Sequence, residues 1–274
     1  MNQYSRCCHA FGTIRQKSSS GGCMLKKLIV IFLFGLAAAF SACEKKAPYD
    51  PDADAQGHTA PTALTAEVNA KVLKELPFSN KQDFAQCQRG LIARDPDLRV
   101  MDSRGDIIWN QPAYGFIKNE APSSVNPSLW RQAKLNNVHG LFKVAEGVYQ
   151  VRGFCLSNMS IIEGKTGWII VDPLTTKETA SRAIAFARKH LKNRPIVAVI
   201  FTHSHIDHFG GVHGVISPEE AAGNKVDIIT PRGFMEEATS ENIIAGIAMA
   251  RRAEYMYGRH LAPSKRGHVD NGLG

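Results

Sequence analysis

The chain has 274 residues, 44% of them hydrophobic and 21% charged, which is ample for a core and permits one large domain or two small ones. Its formal charge of +8 falls to +3 once Arg6, Arg15, Lys17, Lys26 and Lys27 near the start are set aside. No lysine and arginine stripe interleaved with aromatics supports a nucleic-acid partner, and six cysteines are too few for a disulfide scaffold.

Residues 1–23 are rich in serine and glycine and read as a disordered extension. Met24-Leu25-Lys26-Lys27 then gives a positive start to thirteen apolar residues, Leu28 to Phe40, a run short for a membrane span. Ser41 and Ala42 precede Cys43, so residues 24–43 resemble a bacterial lipoprotein signal with Cys43 as the lipidated first mature residue and membrane attachment point. Phe40 stands where leucine is usual; a plain secretory signal or an uncleaved anchor are the other readings. All three place the remainder outside the cytoplasm, in the periplasm or on a membrane, and the signal makes Met24 the expected translation start. Residues 44–64, with Pro48, Pro51 and Pro61, read as a linker.

Residues 65–140 form an N-terminal segment. Helices are expected over 66–76 and 79–92, and a hairpin over 98–102 and 107–109 around Ser103-Arg104-Gly105. A proline-containing loop over 111–137 closes in a short helix over 128–135. From 141 to 274 the texture changes to short apolar strands over 147–152, 156–163 and 167–171, separated by glycine turns. Thr175 and Glu178 form a predicted capping box, behind which Ala180, Ala183, Ile184, Ala187 and Leu191 recur at helical spacing. Strands over 196–201 and 226–230 follow, then a helix over 240–257 that turns Ile243, Ile244, Ile247 and Met249 inward. Strands, a helix, and a strand with polar residues at its carboxyl end describe an α/β layered arrangement. Cys87 and Cys155 read as separate buried thiols, or as a pair if the protein is exported.

The strand over 196–201 runs into Thr202-His203-Ser204-His205-Ile206-Asp207-His208-Phe209-Gly210-Gly211. Alternation at a strand end sends His203 and His205 to one side, and the turn towards the glycines brings Asp207 and His208 in from another. Neutral imidazoles and a carboxylate gathered this way are the donors a zinc-type cation takes, and their number points to two metals. Asp172, closing the preceding strand, is a candidate to orient the imidazoles; its other reading is a turn or helix-start carboxylate. His213 reads as a surface or supporting residue and Glu241 as a first-turn helix carboxylate. Of the adjacent Arg251 and Arg252, at most one can face a given ligand.

His203-x-His205-x-Asp207-His208 after an apolar strand resembles the signature of the metallo-β-lactamase superfamily, and Asp172 matches an aspartate position of that superfamily. Residues 151–160, 201–211 and 240–246, with Arg251-Arg252-Ala253, resemble the alkylsulfatases, over roughly residues 80–274. The resemblance implies an αββα sandwich, here its first half. It also implies zinc-dependent hydrolysis of sulfate esters of long-chain alcohols such as dodecyl sulfate, through an activated water. Carried over residue by residue, it makes His203 and His205 ligands of one zinc and Asp207 and His208 ligands of a second. The alkylsulfatases are much longer, with further acidic and histidine ligands, a dimerisation region that implies a homodimer, and a lipid-binding-like domain downstream. The chain is therefore expected to be the N-terminal part of one. The alternatives are another hydrolase of the superfamily, acting on β-lactams or thioesters, and an inactive metal-binding fragment.

Overall fold

The computed structural model describes residues 53–270 and 272, apart from 56, 224 and 259. The extension over 1–23, the signal-like stretch with Cys43 and residues 44–52 and 56 of the linker lie outside the described residues.

Helix α1 (Ala63–Glu75) is capped by Thr62, whose side chain accepts from Thr65 N. The expected helix over 79–92 resolves into a short α2 (Gln82–Gln86) and an edge strand β1 (Leu91–Ala93). Gly90 is the reason: its φ of +75° breaks the helix, and its carbonyl accepts from Lys143 N at 2.7 Å, which starts the pairing of β1. The hairpin forms as β2 (Arg99–Met101) and β3 (Ile107–Asn110), with Val100 opposite Trp109. The short helix in the following loop is α3 (Pro127–Asn136), capped by Asn126. Trp130 and Ala133 of α3 join Tyr114, Ile117, Val125 and Val269 in a small second core, which packs Val269 against the segment over 114–133.

The main sheet has seven strands in the order β1-β4-β5-β6-β7-β8-β9. β4 (Gly140–Ala145), absent from the sequence expectation, pairs antiparallel with β5 (Val148–Arg152). β6 (Met159–Glu163) starts three residues later than expected, because residues 153–158 cross to the motif loop instead of extending the strand. β7 (Trp168–Val171) pairs antiparallel with β6, then parallel with β8 (Ile196–Ile200), and β8 pairs parallel with β9 (Asp227–Ile229). Trp168, Ile170, Met159, Ile161 and Val199 are fully buried on these strands.

Between β7 and β8 lies α4 (Lys177–His190), whose Ala180, Ala183, Ile184 and Ala187 are buried as the spacing predicted; Phe186 is buried as well, and Leu191, just past the helix end, is half-buried. Its capping box is one residue further on than expected. Thr176 accepts from Thr179 N at 3.2 Å and Thr176 N donates to Thr179 Oγ1 at 3.3 Å. Thr175 is not free to cap, since its Oγ1 meets Cys155 Sγ at 2.9 Å.

After α5 (Pro218–Ala222) and β9, the helix expected over 240–257 divides into α6 (Phe234–Thr239), a π-helical turn Ser240–Ile244, and α7 (Gly246–Tyr257). Its expected inward face is outside: Ile243, Ile244 and Ile247 are 73, 78 and 70% exposed, and Met249 is 37% exposed. The π turn re-phases the side chains, so periodicity read through it assigns the wrong face. The described residues form a mixed α/β sheet with helices, as expected for the first half of the sandwich.

Candidate metal centre

The parallel pair β7 and β8 ends in register, Val171 opposite Ile200, so the chain leaves both strands at one sheet edge. Asp172 N bonds Ile200 O at 3.0 Å, and Asp172 then turns sharply with φ +55°. A non-glycine residue in the left-handed region carries a conformational cost. Here that conformation aims the carboxylate at the motif. Oδ1 accepts from Thr202 N at 2.9 Å, and Oδ2 accepts from Thr202 Oγ1 at 2.8 Å and sits 2.8 Å from His208 Nδ1.

With its proton given to Asp172, Thr202 Oγ1 is an acceptor for His203 Nδ1, 2.9 Å away. One carboxylate therefore holds His208 directly and His203 through a hydroxyl, and both imidazoles keep Nε2 for another partner. The three rings stand together, with centroids 4.6 Å apart for His203 and His205 and 4.1 Å for His203 and His208.

Two nitrogen–carboxylate contacts complete the cluster: His208 Nε2 to Asp207 Oδ2 at 3.2 Å and His205 Nε2 to Glu241 Oε1 at 3.1 Å. Ligand bonds of about 2.0–2.2 Å on a tetrahedral ion space neighbouring donors by roughly 3.3 Å. The His208 and Asp207 spacing fits two ligands of one ion. Among the described residues no group of three histidine, cysteine, aspartate or glutamate side chains is closed round a common metal position. Donor type and pairing fit a divalent metal, and the donors form partial sets around it.

The backbone of the loop is locked by close packing. A Cβ on Gly211 would lie 2.2 Å from Pro173 O and 2.8 Å from Ala180 Cβ, and one on Gly210 would lie 2.2 Å from Thr175 O. Only glycine lets this loop lie against the start of α4. Ser157 Oγ donates to Asp207 O, which ties the crossing segment over 153–158 to the motif. Beside Asp207 opens a cavity of about 780 Å³ with Ile108, Trp109, Leu156, Tyr257 and Leu261 in its walls.

The structure thus gathers His203, His205, Asp207, His208 and Asp172. His213, Arg251 and Arg252 are exposed. Cys87 and Cys155 are both free thiols, Cys87 half-buried and Cys155 buried, and burial raises the Cys87 pKa above its ordinary value. Sequence reasoning missed Thr202 as a relay and put Glu241 in a helix cap. The signal for Thr202 was its place between the strand and His203. Glu241 is 36 residues from His205, and nothing in the sequence alone joins them.

Residues 152–263 match the family model of the metallo-beta-lactamase superfamily. The chain is 48% identical over 211 residues to alkyl/aryl-sulfatase BDS1 of Saccharomyces cerevisiae, covering 77% of this chain and 33% of the relative. It is 49% identical over 215 residues to a linear primary-alkylsulfatase of a Pseudomonas species, covering 78% and 32%. The solved structure of the stereoselective inverting sec-alkylsulfatase Pisa1 from a Pseudomonas species superposes with a TM-score of 0.75 at 46% identity, covering 80% of this chain and 35% of that one. The chain spans about a third of the length of the curated relatives it matches.

Proposed function

We propose that this chain, similar to alkylsulfatases of the metallo-β-lactamase superfamily over about a third of their length, serves zinc-dependent hydrolysis of sulfate esters of long-chain alcohols. The observation that carries the reading is the Asp172 network, which holds His203 and His208 in one tautomer, next to Asp207 in the wall of a largely apolar cavity.

Two zinc ions are proposed, one held by His203 and His205 and one by Asp207 and His208. When bound, the metal lowers the pKa of water and neutralises charge on the sulfate group. The residues of this chain do the rest. Asp172 and Thr202 keep the imidazole protons on Nδ1 of His203 and His208, which fixes where the Nε2 lone pairs point. An alkyl sulfate is an anion with a long apolar tail, and the cavity walls of Ile108, Trp109, Leu156, Tyr257 and Leu261 suit that tail. Seating the tail there sets the sulfate against Asp207 and the histidines and sheds water from the site. Water adds across the ester to yield the alcohol and hydrogen sulfate.

Export through residues 24–43 and attachment through Cys43 belong to the same reading, as does assembly as a homodimer. The test is an assay of the purified protein with zinc on dodecyl sulfate, a β-lactam and a glutathione thioester. Zinc-dependent sulfate release, lost with a chelator and in His203→Ala, is expected. Turnover of the lactam or thioester alone would make it another hydrolase of the superfamily, and bound zinc without turnover would make it a metal-binding remnant.

A further inference from the structure

Arg152 closes β5 half-buried, and among the described residues no carboxylate pairs with it. Its Nε donates to Gln150 Oε1 at 2.6 Å, and its guanidinium carbon stands 4.4 Å from the centre of the Phe142 ring. These two contacts hold the guanidinium in place. They leave Nη1 and Nη2 without a hydrogen-bond partner among the described residues. A cation drawn partly out of water without an anion is costly, and burial lowers the Arg152 pKa below its ordinary value.

Arg152 lines a cavity of about 150 Å³, with Cys87, Asn136, Cys155 and Asn158 also in its walls. Most of these groups are engaged elsewhere. Cys87 Sγ donates to Phe84 O at 3.3 Å, and Cys155 Sγ meets Thr175 Oγ1 at 2.9 Å. Asn136 Nδ2 donates to Asp270 Oδ2 at 2.8 Å, and its Oδ1 accepts from Gln132 Nε2 at 2.9 Å. Asn158 is exposed, and its amide makes no hydrogen bond to the described residues. The unengaged polar groups round the cavity are therefore a guanidinium fork and an amide. Such a fork meets two oxygens of one anion with parallel N–H···O bonds. The volume admits a small ion with a few waters.

We propose that this cavity binds a small tetrahedral oxyanion, of the sulfate or phosphate kind, on Arg152 and Asn158. The site is separate from the metal centre and does not rest on the metal reading. Cys155 and Leu156 line both this cavity and the larger one beside Asp207, so the segment over 153–158 is a wall common to the two. Sulfate is the anion that the hydrolysis proposed above would release, and it is the probe used.

The experiment titrates the full chain, freed of metal with a chelator, with sodium sulfate, and with sodium chloride at equal ionic strength. Calorimetry reads binding, and the unfolding temperature reads the same event independently. One sulfate per chain is expected, with no matching signal from chloride. Arg152→Gln is expected to weaken sulfate binding ~10–100-fold. Arg152→Lys, which keeps the charge and loses the fork, is expected to weaken it by a smaller factor. Asn158→Ala, at an exposed position, is expected to weaken it severalfold, and it decides the matter should Arg152→Gln fail to fold. The His203→Ala, His208→Ala double variant is expected to bind sulfate as the wild type does. Absence of sulfate binding, an equal response to chloride, or unchanged affinity in the Arg152 and Asn158 variants would overturn the proposal. So would loss of binding in the double histidine variant alone, which would put the anion at the motif.

Discussion

At the scale of single residues, the centre depends on one carboxylate held in a costly conformation. Asp172 has φ +55° and receives Thr202 N, Thr202 Oγ1 and His208 Nδ1. Asp172→Asn keeps a residue that tolerates the left-handed region and replaces one acceptor oxygen by a donor. We expect metal affinity ~10–100-fold weaker, with folded stability lower by about 1–3 kcal/mol, measured by metal titration and urea unfolding. Loss of stability alone would show that Asp172 is only a turn residue. The spacing of His203, His205, Asp207 and His208 was legible because those donors are neighbours in the chain. Thr202 and Glu241 were not, because each acts through a contact that exists only after folding.

At the scale of elements, the motif loop is placed by glycines packed on α4 rather than by the histidines. A Cβ at Gly211 would meet Pro173 O, Thr176 O and Ala180 Cβ at 2.2, 2.7 and 2.8 Å. Gly211→Ala is therefore expected to cost about 1–3 kcal/mol in thermal or urea unfolding, as overpacking does, and to lower metal affinity with it. Unchanged stability would mean the loop has another seat. Sequence reasoning found β5, β7, β8 and α4, whose periodicity is unbroken, and also the β2–β3 hairpin, α1, α3 and β9. It failed where a local irregularity changes the phase. Gly90 at φ +75° converts the end of an expected helix into β1, and the π turn sends Ile243 and Ile244 outward. Periodicity carries no mark of an inserted residue until a partner shows which face is buried.

At the scale of the whole molecule, one sheet edge joins two chemistries. The ends of β7 and β8 deliver the polar cluster, while β3, the segment over 153–158 and α7 bring apolar walls beside Asp207. The same chain leaves an apolar stretch on α7 open, with Ile247 and Tyr255 70 and 91% exposed. The central claim is that the cluster of His203, His205, Asp207 and His208 is a metal centre, and zinc titration of the purified chain tests it most directly. Zinc is expected to bind the wild type and to raise its unfolding temperature as the ligand concentration rises, with both effects lost in the His203→Ala, His208→Ala double variant. Zinc that binds the double variant as tightly as the wild type would contradict the account.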